Sequence, residues 1–223
     1  DDGTRIVYAS GAFQITGGDF VNASGTVTVM QNTTGTLFAA QPVTVSGVTV
    51  NVPELAVGAK SVSGSGLKFD VTGYVSVEGD IGFEKSGSDV IAVGSSMTAK
   101  LEAGTALVQL AGASFGLRSS NALTAFELSG GTLTVSLGGF ASLSASSVKV
   151  QYTSAGATIN KDTDDITVGS AAYDFTQDIA ASTVSFSLTN LSATVSEFVT
   201  LTGGSLGFKK TGSDIIAVGT SIN

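Results

Sequence analysis

The chain has 223 residues, a net charge of −8 and only 13% charged side chains, and it contains no His, no Cys and no Trp. These absences exclude an imidazole base or His–metal ligand, a thiolate nucleophile, a cysteine zinc site and any disulfide, and they remove the indole platform used to stack sugars. The Lys and Arg residues total 10 and form no cluster, which argues against nucleic acid as a partner. No apolar run approaches the ~18 residues of a membrane helix, so no membrane span of that kind is expected.

From the N-terminus, "GTVTVMQNTTG" (25–35) is the first alternating stretch: apolar residues two apart with Thr, Gln or Asn between them mark a half-buried strand. "NVPELAVGAKSV" (51–62) is the one segment that suits a helical turn, beginning near Pro53. "YVSVEGDIGF" (74–83) places Val75, Val77, Ile81 and Phe83 on one strand face, and "IAVGSSMTAKL" (91–101) puts Ile91, Val93, Met97, Ala99 and Leu101 on one face in the same way. Gly- or Ser-bearing turns follow every 15–18 residues at "KSGSD", "LEAG", "RSSN", "LGG" and "TSAG". With β-branched residues throughout and no sustained helical stripe, the chain reads as all-β with almost no helix.

The sequence also repeats itself. "FEKSGSDVIAVGSSM" (83–97) returns as "FKKTGSDIIAVGTSI" (208–222), and "GTVTVMQNTTG" returns as "SSVKVQYTSAG" (146–156), with Val27 and Val29 matched by Val148 and Val150. The unit is therefore about 121–125 residues, counted from those offsets. The expected organisation is 1–24 as the end of a preceding unit, 25–145 as one unit and 146–223 as a partial second unit. A finer rhythm starts strands at Tyr74, Leu107 and Phe140, 33 residues apart. Repetition of this kind signals an array. The favoured architecture is a β-solenoid-like repeat array with one coil per rhythm. The alternative is tandem β-sandwich modules of long bent antiparallel strands.

The stretches "SVKVQYTSAGATINKDTDDITVG" and "NLSATVSEFVTLTGGSLGFKKTGSDIIAVGTSI" resemble the extender, or stalk, repeats of giant bacterial surface and secreted proteins, of the kind found beside calcium-binding RTX modules. That resemblance implies a stalk or fibre, extracellular or at the cell surface, with further copies of the same repeat as partners and a surface or glycan as the distal ligand. The RTX nonapeptide itself is missing, so its calcium packing is not implied.

Candidate sites are few. Asp162, Asp164 and Asp165 in "NKDTDDITVG" crowd three carboxylates into four residues, which fits calcium, a hard cation that takes 6–8 oxygens; the plainer reading is a solvated turn. Asp89 and Asp214 recur in "GSD" and are expected to close turns. Glu78 and Asp80 lie two apart on one exposed strand face, which is the wrong arrangement for a glycosidase pair facing across a cleft. The Thr pairs of "TVTV" (26–29) and "TLTV" (132–135) read as β-propensity, and the sequons at Asn22, Asn32 and Asn190 are expected of a Thr-rich chain. The expectation is therefore a structural segment without catalysis. A β-helix enzyme or binding module acting on polysaccharide, and an outer-membrane β-barrel, stand as alternatives.

Overall fold

The computed structural model describes residues 4–17, 21–71, 75–86, 88–120, 123–169, 171–196, 198–211 and 213–220. The described residues hold strands and turns but no helix. In chain order the strands are β1 (Ile6–Gly17), β2 (Val21–Asn32), β3 (Gln41–Val45), β4 (Val48–Val52), β5 (Lys60–Val71), β6 (Val75–Ser86), β7 (Asp89–Ala103), β8 (Ala106–Ser120), β9 (Leu123–Leu137), β10 (Ala141–Ala145), β11 (Ser147–Thr153), β12 (Ile166–Val168), β13 (Ala171–Tyr173), β14 (Thr183–Val195), β15 (Val199–Thr211) and β16 (Asp214–Thr220). The stretch near Pro53 forms no helical turn; Leu55 there bridges Phe38 and is buried.

Twelve strands make one sheet in the order β1-β2-β5-β6-β7-β8-β9-β10-β14-β15-β16, with β11 sharing the lane of β10 between β9 and β14. Each neighbour pair in it is antiparallel, whereas the coils of a solenoid stack in parallel. The 33-residue rhythm is thus one up-and-down pair of strands rather than one coil; of its three starts, Tyr74 lies outside the described residues. Two excursions interrupt the meander. Residues 33–59 carry the β3–β4 hairpin, and residues 154–182 carry the β12–β13 hairpin.

The sheet has two unlike faces, set by the side-chain alternation and the pairing register. Val29, Val62, Phe83, Phe115, Phe126 and Tyr152 fall on one face, and their neighbours Thr28, Ser63, Gly82, Gly116, Glu127 and Gln151 fall on the other. The apolar face runs on beyond mid-strand through Phe69, Val77, Ala99, Leu110 and Leu133. Between these halves lies a crease. Register shifts occur at Ser24/Thr26, Gly64/Leu67, Glu78/Asp80, Gly94/Met97 and Leu188/Leu191. Residues in the left-handed region stand beside them, at Gly66 (φ 56°), Ser96 (φ 52°), Gly112 (φ 75°) and Asn190 (φ 50°). Each bulge inserts an extra residue and bends its strand. The apolar residues of "IAVGSSMTAKL" do not share one face as their alternation implies. The bulge at Ser96 separates Ile91 and Val93 from Met97, Ala99 and Leu101, which lie on the opposite face.

The repeat is visible in the hydrogen bonding. The hairpin β6–β7 pairs Ser86 with Asp89, Glu84 with Ile91 and Gly82 with Val93; β15–β16 pairs Thr211 with Asp214, Lys209 with Ile216 and Gly207 with Val218. Thr33 N–H donates to the Arg5 carbonyl (2.9 Å), and Ser154 N–H donates to that of Thr124 (2.8 Å). Each excursion closes on one bridge, Phe38–Leu55 and Ile159–Ile179. Hence β9 onward repeats β1 onward, and β16 repeats β7.

Burial is not repeated. Val93 is 0% exposed and Ile91 is partly buried, but Val218 and Ile216 are each 57% exposed. Phe83 and Phe208, the matched aromatic positions of the repeat, are also exposed, at 45% and 41%. Both phenylalanines lie on the apolar face, which no described segment covers at their position. The larger enclosed core lies where residues 154–182 cover the polar-parity face, with Ile159, Ile166, Val168, Tyr173, Phe175 and Ile179 packed on Val93 and Ala125; a smaller one, Ala145, Val148 and Leu188, lies on the apolar face. The fit requires glycine in the sheet. A Cβ at Gly82 would strike Val168, and one at Gly116 would strike Tyr173.

Candidate functional site

The most organised polar group lies where this cap meets the sheet. Alternation puts Glu127 of β9 and Gln151 of β11 on the capped face as cross-strand partners. Glu127 is 0% exposed. Its carboxyl accepts from Gln151 Nε2 (2.5 Å), the Tyr173 hydroxyl (2.7 Å) and the Thr176 N–H (2.8 Å). Tyr173 Oη also lies 2.8 Å from Ser129 Oγ, and Gln151 Oε1 accepts from Ser185 Oγ (2.9 Å) and Gln177 Nε2 (3.3 Å). Burial, and the Glu127 carboxyl beside it, hold the Tyr173 phenol well above its ordinary value, so it stays a neutral donor. Among the described residues no buried side-chain polar atom lacks a partner. The network pins the cap to the sheet.

Beside the cap a cleft of about 370 Å³ opens at the turn end of β6–β9. It is lined by Glu84, Asp89, Arg118, Ser119, Thr158 and Ile159, among others. Partial burial raises the Glu84 carboxyl above its usual value. Arg118 Nη1 is paired at 2.5 Å with Asp164 of the cap, so the strongest cation in the cleft is already engaged.

The three candidate aspartates are neighbours in the chain but have separate roles. Asp164 bonds Arg118 and accepts the Asn160 N–H (2.8 Å). Asp162 pairs with Lys161 at 2.5 Å, and its N–H donates to Asn160 Oδ1. Asp165 is exposed. Among the described residues no three acidic groups are gathered as a metal site. Asp80 accepts the Gly66 N–H (2.7 Å) at the crease, while Glu78 is exposed on the same face, so the two do not face each other across a cleft. Asp89 stands at the first pair of its hairpin, as Asp214 does in the copy. The Thr28 hydroxyl meets Ser10 Oγ at 2.8 Å. Asn32 is 0% exposed; its amide donates to the carbonyls of Thr36 and Leu55, so this sequon is structural.

Nothing in the sequence singles out Glu127, Gln151 and Tyr173. Glu127 occupies a polar-parity position like the many solvated Ser and Thr, and the groups that bury it arrive 46 to 49 residues later. Comparison with protein-family models, curated proteins and solved structures found no match.

Proposed function

We propose that this chain is a structural segment of a repeat array, part of an extracellular fibre or adhesin stalk, with no catalysis of its own. The observation that carries the reading is the internal copy: β15–β16 repeats the register of β6–β7, and both copies are lanes of one continuous sheet. A fold that repeats its hairpins side by side extends by adding strands, so each further unit lengthens the sheet without altering the last. The array is then an extending antiparallel sheet rather than stacked solenoid coils or separate sandwiches. The polar groups support the same reading, since Glu127 and Asp164 serve cap attachment and the Asp162 carboxylate pairs with Lys161. The fibre's partners are further copies of this repeat.

Tandem concatemers of the unit test it. Six sheet strands separate β1 from its copy β9, so at ~4.8 Å per strand each added unit should lengthen the particle by about 29 Å. Small-angle scattering on one-, two- and three-unit chains measures that increment. A maximum dimension that does not grow in steps overturns the reading.

A second reading rests on a different observation. A continuous apolar face opposite a polar one is also what the wall of an outer-membrane β-barrel presents to lipid. Flotation with phosphatidylcholine–phosphatidylglycerol vesicles separates the two. A fibre segment stays in the dense fractions, and a barrel wall rises with the lipid.

A further inference from the structure

β16 repeats β7 residue for residue at Asp214, Ile216, Ala217, Val218 and Gly219, which match Asp89, Ile91, Ala92, Val93 and Gly94. The inner edge of both strands is paired in the same register. The outer edges differ. That of β7 carries β8, with Gly94 opposite Phe115, Val93 opposite Gly116 and Ile91 opposite Arg118. That of β16 pairs with no strand among the described residues, and every side chain on it is exposed.

The seating of β8 on β7 is specific. A Cβ placed at Gly94 would strike the Phe115 ring, so the ring occupies the space that the absent side chain leaves. Over the other face of the same strand, the cap closes on Val93 and Ile91. In β16 all three receiving features, Gly219, Val218 and Ile216, are present and exposed. The chain also carries an earlier excursion whose hairpin is exposed along most of both strands. β3–β4 occupies the place in its unit that the cap hairpin β12–β13 occupies in the next, yet Val43, Val45, Val48 and Val50 are all exposed.

Resting on the array reading above, we infer that the outer edge of β16 accepts an antiparallel strand of the β8 pattern from a further copy of this repeat, with an aromatic ring over Gly219, and that Ile216 and Val218 are then covered by that copy's excursion hairpin. Pairing gives affinity through the main chain, and the glycine notch gives the register. Direct pairing with a second molecule's β1 does not satisfy this edge, because β1 repeats β9, which lies one strand beyond β8 and runs parallel to β7. The joint therefore needs one intervening strand.

A synthetic peptide with the β8 sequence ALVQLAGASFGLRSS is the probe. On adding it, hydrogen exchange should slow at the β16 amides and remain unchanged in β9 and β14. The same peptide with Phe115→Ala should bind at least ~10-fold more weakly. The Gly219→Leu chain, checked for an unchanged far-UV spectrum, should lose the protection. Unchanged exchange in β16, or equal binding by the Ala peptide, overturns the joint. An independent measurement uses the absence of native cysteine. Val218→Cys is made in this chain and in a chain extended after Asn223 by its own residues 99–182, which continue the repeat in register and supply the strand and the cap. Maleimide labelling should be at least ~10-fold slower in the extended chain, and equal rates sink the proposal. If stepwise growth of concatemers holds while both results are negative, the array stands and this joint falls; if growth fails as well, the array reading falls too.

Discussion

Glu127 shows how much one side chain can determine. It satisfies a hydroxyl, an amide and a backbone N–H at the seam between sheet and cap, two of these bonds being buried. Removing one partner of such a set leaves the others desolvated and unpaired, at about 1–3 kcal/mol each. Glu127→Ala should therefore lower unfolding stability by about 3 kcal/mol or more in urea titration, and Tyr173→Phe by about 1–2 kcal/mol. Glu84 behaves oppositely. Burial raises its folded-state pKa, so the protonated form is favoured by folding. Its contribution is present below the unfolded carboxylate value and is lost as pH rises through the folded value. Glu84→Gln should remove that loss, so the variant gains on the parent as pH rises through the carboxylate range in paired denaturation curves. Phe83 and Val93 are a contrast in exposure: Val93→Ala should cost about 2–3 kcal/mol, and Phe83→Ala less than the roughly 3–5 kcal/mol of an enclosed ring.

At the scale of the strand, the alternation was legible and the bulges were not. Val75, Val77, Ile81 and Phe83 share a face as the pattern in "YVSVEGDIGF" implies, because β6 carries no inserted residue. The same pattern in "IAVGSSMTAKL" misleads, since an extra residue at Ser96 turns the chain over while apolar residues continue at odd positions. Ile91 and Val93 are apolar because the cap covers them; Met97, Ala99 and Leu101 are apolar because they join the other face. Period alone does not distinguish those reasons. The crease offers its own test. Ser96 sits at φ 52°, a conformation that costs a β-branched residue about 1–2 kcal/mol. Ser96→Val should be destabilising by that amount, and Ser96→Gly neutral or stabilising, by thermal melting monitored by far-UV circular dichroism. Gly116→Ala should cost about 1–3 kcal/mol by pressing on Tyr173, whereas Gly11→Ala has open space around it and should be nearly neutral.

On the scale of the molecule, the sequence disclosed the duplication and its period, and the hairpin "GSD[VI]IAVG" does recur in register. It did not disclose that the 33-residue rhythm is an antiparallel pair, because an up-and-down pair and one solenoid turn both produce a regular spacing of apolar runs. The burial of the two copies was also beyond reach. Val93 and Val218 sit in matching sequence, and their different exposure comes from a hairpin roughly 70 residues beyond Val93 that covers one and has no counterpart over the other.

The order of strands across the sheet sets how such a molecule answers a pull. β1 and β16 are opposite margins of one meander, so tension between them runs across the strands and along the inter-strand hydrogen bonds. Bonds loaded this way break in succession, like the teeth of a zip, and not together as they would in shear. Each up-and-down pair of about 33 residues would be released as a separate event, freeing roughly 115 Å of chain at ~3.5 Å per residue. The capped region around Glu127 should be the last and firmest to yield. In single-molecule pulling this predicts a train of small, evenly spaced yielding events followed by one stronger event, so that a stalk built of these units would lengthen gradually and dissipate load well before it broke.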